Sequence, residues 1–490
     1  MSRPHTDLDA LLHPRSIAVV GASANPDSPG HDYLKSIIDF GYQGAVYPIN
    51  PRQDEILGLK AYHDVREIPG EVAFVISCIP SGGVLDLIDA CAEKGVPVIQ
   101  LFTGRFSETG RAEDAQLERE TLERARKGGV RLIGPNCMGL HDPALGVSFR
   151  PDLPRRVGPV AYLSQSGNNT TEVLIHADVR GLGFSTALSY GNALDIDEAE
   201  LLQFLASDER TTVIGTYIEG VRDGRRYLDA LRAAAEAKPV VVLKGGRTEA
   251  GARSATSHTA SLGGSREVWR GALRQAGAVE AQHQEELIDL LVAFALLPPR
   301  PVGAQGRPST AGRRVGAVGG GGGRGVQTAD ACIEQGLEVP PLTDEIRAQL
   351  KERSPQLWDW IGNPVDQSIL AGAGAGVSGA AILEMMVESP AFDLLIANIG
   401  EDWVLGRPDS ERRLGHIVSR FVEIGRRSPK PVVYVLGHAD SPDESRWRAV
   451  EAARSALVEA GLAVFPTVER AAAALRRYVG YWEEREAASA

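Results

Sequence analysis

Ile17-Ala18-Val19-Val20-Gly21-Ala22-Ser23-Ala24-Asn25-Pro26-Asp27-Ser28-Pro29-Gly30 reads as a buried strand running into a glycine-containing turn before a helix. This is a phosphate-binding geometry at the carboxyl edge of a parallel sheet. Short apolar runs then alternate with helical patterns to the end of the chain, which implies βαβ units and an α/β fold with sheets covered on both faces. The next strand candidates are Ala45 to Asn50, Val72 to Cys78, Val96 to Leu101 and Val130 to Gly134. With Ser16 to Gly21 they make one doubly wound domain, residues 1–150. The turn lacks a full G-x-G-x-x-G, and the second strand ends in Asn50-Pro51-Arg52 rather than in an acid for a ribose hydroxyl. An NAD-dependent oxidoreductase is therefore disfavoured. Arg52 suits a ligand with an extra phosphate, such as the 3′-phosphate of coenzyme A, against the alternative of a solvated loop charge. Ile79-Pro80-Ser81, Phe102-Thr103-Gly104-Arg105-Phe106 and Gly134-Pro135-Asn136-Cys137 end the other strands, so their shared edge walls a nucleotide-type cleft.

A second, flavodoxin-like set runs through Pro159 to Ser164, Phe184 to Ser189, Thr212 to Tyr217 and Pro239 to Lys244, closing with a helix from Glu285 to Leu297. The Pro/Gly/Ser-rich stretch 300–312 reads as a linker. The third unit looks like a copy of the second. Val160 to Gly167 is matched by Val315 to Gly322, and Gly191-Asn192-Ala193-Leu194-Asp195 by Gly362-Asn363-Pro364-Val365-Asp366. The boundaries so read are 1–150, 157–299 and 313–490, and the third unit is expected to do docking or structural work.

A chain of 490 residues exceeds what one core supports. The net charge of -12 argues against a nucleic-acid or anionic-membrane surface, so anionic ligands must be met by local sites. The Met-Ser-Arg-Pro-His start has no apolar signal region, and the longest apolar run, Leu287 to Leu297, is short and holds Asp289. A soluble cytoplasmic protein is expected. Cys78, Cys91, Cys137 and Cys332 form no CxxC or Cys/His cluster, and no carboxylates sit at metal-ligand spacing, so no protein metal site is indicated.

His258 stands among small hydroxyl residues, Ser254 to Ser265, just before a helix that Ser265 caps. There it reads as a phosphate-carrying histidine, where most of the chain's ten histidines are solvated surface or satisfied donors. Ser164-Gln165-Ser166-Gly167-Asn168-Asn169-Thr170 is a second strand-to-helix turn with hydroxyls and amides for a phosphoryl group. A nucleophilic serine is the weaker reading, since no GxSxG elbow occurs. Glu219, at a strand end in Ile218-Glu219-Gly220, is placed to accept a hydrogen bond from one His258 nitrogen and fix its tautomer; otherwise it is a surface carboxylate.

These motifs together resemble the NDP-forming acyl-CoA synthetases, including the α subunit of succinyl-CoA synthetase and the ADP-forming acetyl-CoA synthetases. Leu12 to Ser23, Tyr47 to Pro51, Gly134 to Cys137, Leu163 to Gly167, Gly191-Asn192, Ile218 to Gly220 and Ser257-His258-Thr259 carry the resemblance over nearly the whole chain. It implies a CoA-binding Rossmann-like domain followed by two flavodoxin-like ligase domains. It further implies His258 as phosphohistidine with Glu219 orienting it, Ser164, Ser166, Gly167, Asn192 and Thr259 around phosphate, and Gly21, Ser23, Asn50, Pro51, Arg52, Ile79, Pro80, Gly104 and Asn136 around CoA. The implied reaction joins acid, CoA and ATP to acyl-CoA, ADP and phosphate through an acyl phosphate. The ATP-grasp domain that holds Mg²⁺ and ATP or ADP is not visible, so an ATP-grasp β subunit is expected in a hetero-oligomer. A CoA-binding regulator without turnover is the alternative. Two departures stand out: Ala260 replaces the glycine usual after His-Thr, and Asn168-Asn169 put polar bulk near the presumed acyl pocket, which suggests a polar or larger carboxylic acid.

Overall fold

The computed structural model describes residues 6–251, 265–298, 312–372, 376–405, 409–437 and 443–489. They group into two compact units, Met1–Leu287 and Ile288–Ala490. His258, Thr259 and Ala260 lie outside the described residues, as does 300–311 of the linker stretch.

The first unit begins with β1 (Ser16–Val20) and β2 (Ala45–Ile49), a small hairpin of β3 (Glu55–Ile56) and β4 (Leu59–Lys60), then β5 (Phe74–Ser77), β6 (Val98–Leu101) and β7 (Arg131–Ile133). The parallel sheet has the order β2-β1-β5-β6-β7. Ile17, Ala18, Val19, Phe74, Val75, Val98 and Ile99 are fully enclosed, as expected of a sheet with helices on both faces. The winding reverses between β1 and β5, and the crevice at such a switch point is the ligand position in this architecture.

A second sheet follows, built from β8 (Gly139–His141), β9 (Val157–Ser164), β10 (Phe184–Ser189), β11 (Val213–Ile218), β12 (Val240–Lys244) and β13 (Val279–Ala281). Its order is β13-β12-β11-β9-β10-β8, parallel except for β8, which runs antiparallel along the outer edge of β10. β8 arises from the stretch that directly follows Gly134-Pro135-Asn136-Cys137, so that turn is held from both sides. The helix Gly167–Val179 starts where β9 ends, and Ser166 caps it by accepting from Asn169 N. The anticipated cap at Ser265 is present too: its hydroxyl accepts from Val268 N at the start of the helix Arg266–Ala276.

In the second unit, β14 (Val315–Gly319), β15 (Leu394–Asn398), β16 (Val432–Val435) and β17 (Ala463–Phe465) form a parallel sheet in chain order. The strand that would sit beside β14, as β10 sits beside β9, is reduced to two isolated parallel bridges, Arg314 to Glu338 and Val318 to Val365. The Asn363 side chain replaces what that strand lacks. Its Oδ1 accepts from Ala317 N at 2.9 Å, and its Nδ2 donates to Val315 O at 2.9 Å and Pro340 O at 2.7 Å. An unsatisfied backbone group in such a position costs about 1–3 kcal/mol. Asn363→Ala is therefore expected to lower the stability of this unit by roughly 2–4 kcal/mol, read as a fall in the denaturant midpoint; an unchanged midpoint would contradict this role.

Candidate functional site

The turn after β1 is built for close approach. Gly21 has φ +86°, and a Cβ there would lie 3.1 Å from Cys78 O. Gly30 is tighter, since its Cβ would lie 2.0 Å from Gly21 O, so the helix Pro29–Asp39 begins directly against the turn. Asn50, at the end of β2, donates from Nδ2 to Ala22 O at 2.8 Å and accepts from Arg52 N at 2.9 Å. Asn50 thereby pins the turn and shapes the bend carrying Pro51 and Arg52, both exposed. Ser23 Oγ accepts from Asn25 N at 3.0 Å, holding the loop before the helix. Ile79 and Pro80 follow β5, and the Thr103 hydroxyl donates to Ile79 O. Gly104 follows β6; a Cβ on it would lie 3.4 Å from Asn136 Oδ1. Asn136, at φ +58°, is exposed beyond β7. The residues expected to bind CoA thus converge on the carboxyl edge of one sheet.

Asn192, expected around phosphate, bonds to the loop after β6. Its Nδ2 donates to Glu108 Oε2 at 2.8 Å and its backbone N–H to Pro135 O at 3.0 Å. A Cβ on Gly191 would lie 2.2 Å from Pro135 O, so Gly-Asn is the surface on which Gly-Pro-Asn rests. Glu108 also accepts from Phe106 N at 3.1 Å, and Arg222 donates to Glu118 Oε1 and Asn192 O, both at 3.3 Å. The loop after β6 and the loop carrying Glu219 are therefore bridged by polar side chains.

At the end of β9, Ser164 Oγ donates to Ser166 O at 2.9 Å and to Asn169 Oδ1 at 3.2 Å, and accepts from Ser166 N at 3.0 Å. Ser166 Oγ is engaged as the helix cap. Both hydroxyls shape the turn from inside. The helix start itself leaves the amides of Gly167 and Asn168 ahead of the first intrahelical bonds, a geometry that favours an anion. Asn169 is likewise engaged: Tyr162 donates to its Oδ1, and its Nδ2 donates to Gln284 Oε1 at 3.0 Å. Of the two asparagines, only Asn168 is exposed.

Glu219 follows β11 at the neighbouring strand end and is only 8% exposed. Tyr217 donates to its Oε1 at 3.1 Å, while its Oε2 has no hydrogen-bond partner among the described residues. Gln165 fastens the peptide on either side: Oε1 accepts from Glu219 N and from Gly220 N at 3.1 Å, and Nε2 donates to Gly220 O at 3.0 Å. Lys244, at the end of β12, donates to Glu219 O at 2.6 Å and to Gly245 O. Burial brings the Lys244 ammonium down to about 8, against the opposing pull of the Glu219 charge. It also stands 5.1 Å from the ring centre of Trp269, on the helix that follows residues 252–264. Gln165, Tyr217 and Lys244 were not singled out from sequence; each lies at a strand end, and that regularity is the signal that could have found them.

In the second unit the turn after β14 is Gly319-Gly320-Gly321, with Gly321 as N-cap of the helix Gly322–Glu334. Gly319 and Gly320 have φ +114° and +72°. Asn398, 2% exposed, has its Nδ2 unpartnered among the described residues and lies 3.7 Å from where a Cβ on Gly320 would be. The turn thus has the same strand–glycine–helix form as the one after β1.

A family model described as a CoA binding domain matches residues 15–143, and one described as a succinyl-CoA ligase like flavodoxin domain matches residues 157–294. The chain is 35% identical over 477 residues to the α subunit of ADP-forming acetate–CoA ligase I of Pyrococcus furiosus, covering 96% of each. It is 36% identical over 391 residues to an ADP-forming acetate–CoA ligase I of Archaeoglobus fulgidus, covering 79% of this chain and 54% of that longer one. Its fold matches the dinucleotide-forming acetyl-coenzyme A synthetase 1 of Ca. Korarchaeum cryptofilum, solved with phosphate and ADP, with a TM-score of 0.80, 30% identity and 99% coverage of both chains. On these matches the chain belongs to the NDP-forming (ADP-forming) acyl-CoA synthetases, acid–thiol ligases, and is of the α-subunit type.

Proposed function

We propose that this subunit joins a small carboxylic acid to CoA through an acyl phosphate and a phosphohistidine at His258, with an ATP-grasp β subunit supplying Mg²⁺ and the adenine nucleotide. The observation that carries this reading is Glu219: a buried carboxylate with one oxygen bonded to Tyr217 and the other without a partner among the described residues. It sits at the same sheet edge as the capped turn of Ser164–Gly167. The helix capped by Ser265 sets Trp269 5.1 Å from Lys244 Nζ, which donates to Glu219 O, and the seven positions from His258 to Ser265 span at most roughly 25 Å, so the sequence distance allows the imidazole to meet Glu219. A neutral imidazole donating to Glu219 presents its other nitrogen as nucleophile.

The crevice along the first sheet fits CoA. Gly21 and Gly30 leave space that a Cβ would fill, a helix begins at the turn, and Arg52 is exposed beside it for a phosphate. In the thioester-cleaving direction, inorganic phosphate attacks the acyl carbon and the CoA thiolate leaves. The His258 nitrogen then attacks the phosphorus of the acyl phosphate, the carboxylate departs, and the phosphoryl group passes to ADP on the partner. Residues 1–150, 157–299 and 313–490 serve as the CoA-binding domain and two ligase domains. The ADP-forming acetate–CoA ligase I of Archaeoglobus fulgidus is about twice as long as its matched part.

The test is a titration and an assay on the full chain. CoA should bind to the chain alone, and ADP release dependent on acid and CoA should need the ATP-grasp partner. Binding of CoA with no turnover in the presence of a competent partner would contradict the proposal in favour of a regulator.

A further inference from the structure

We propose that Tyr217 is a positioning residue for phosphoryl transfer: its phenol holds one oxygen of Glu219 and so fixes the direction of the other, which is open among the described residues. The inference rests on the reading of Glu219 and His258 given above and assigns a role to a residue outside that pair. Tyr217 and Glu219 are two positions apart at the end of β11, and side chains so spaced leave a strand on the same side. The phenol therefore reaches the carboxylate without leaving the strand, at 3.1 Å from Oε1.

The surroundings are shaped for this contact. Gly245, on the neighbouring strand end, lacks the Cβ that would lie 2.5 Å from the Tyr217 oxygen, so the phenol head occupies space only glycine leaves. Burial pushes the phenol well above its ordinary range, and it stays a neutral donor at every working pH. Gln165 and Lys244 hold the backbone of Glu219, but neither touches its carboxylate. Among the described residues Tyr217 is the group that orients the carboxylate itself. A carboxylate bonded at one oxygen and open at the other has a defined direction; with the phenol removed, it can turn about its last torsion and present either oxygen or neither.

The experiment is a mutant cycle on the full chain with its ATP-grasp partner. The readout is the single-turnover rate of ³²P transfer from Mg²⁺-ATP to the chain, with CoA affinity measured in parallel. Tyr217→Phe should slow transfer roughly 10- to 100-fold, the scale of misplacing a catalytic group, with CoA affinity unchanged and the chain still folded at the assay temperature. In a Glu219→Ala background the same change should have no further effect, because no carboxyl group remains for Tyr217 to hold. Gly245→Ala should mimic Tyr217→Phe by displacing the phenol. Equal fold-losses in both backgrounds, or wild-type transfer in Tyr217→Phe, would overturn the proposal. A Glu219→Gln chain that transfers at the wild-type rate would instead overturn the reading of Glu219 on which it rests.

Discussion

His258→Ala is expected to abolish phosphoryl-enzyme formation and to reduce ligase turnover by roughly 10⁴-fold or more, the scale seen when a covalent nucleophile is removed. Among the described residues, the polar groups at the neighbouring strand ends are already engaged. Ser164 and Ser166 spend their hydroxyls inside their own turn. Lys244 is tied to two carbonyl oxygens. Neither is free to take a phosphoryl group. CoA affinity should remain, since Gly21, Asn50, Gly104 and Asn136 belong to the first sheet's edge. Calorimetric titration with CoA beside an assay of ADP release separates the two effects; comparable losses of both would point to a folding defect and contradict the assignment.

Glu219→Gln is expected to slow phosphoryl transfer by roughly 10²- to 10⁴-fold with little change in stability. The amide keeps the shape of the carboxylate, and its oxygen still accepts from Tyr217. It then turns an NH₂ group toward the space now faced by Oε2. A donor there cannot receive the imidazole N–H, so the histidine is left in the wrong tautomer or without direction. Gln165 and Lys244 grip the Glu219 backbone and are untouched by the change, which protects the fold. Single-turnover labelling at several pH values measures the effect, and a rate within a few-fold of wild type would rule out the orienting role.

The parallel strands were legible in the sequence because buried strands of β-branched residues must be apolar on both faces, and β1 and β12 follow that pattern. The turns were legible for a related reason: glycine and capping hydroxyls sit where a strand gives way to a helix. Which way a turn's side chains point was not legible. Ser164, Ser166 and Asn192 suit a phosphate by residue type, yet their polar groups bond within the turn or to Glu108. β8 escaped notice because a three-residue edge strand leaves no periodic trace. In the second unit, Asn363 looked like one half of a repeated motif, and only the backbone pairing shows it standing in for a strand. Tyr217 and Gln165 act on Glu219 from two strand ends, a juxtaposition that residue type alone does not announce.

The central claim is tested most directly by incubating the chain and its ATP-grasp partner with Mg²⁺ and γ-³²P-labelled ATP, then mapping the label by peptide digestion. The account predicts acid-labile, base-stable label on the peptide carrying His258, absent from His258→Ala and removed by ADP. Label confined to another residue, or none on this chain with a partner that hydrolyses ATP, would contradict it.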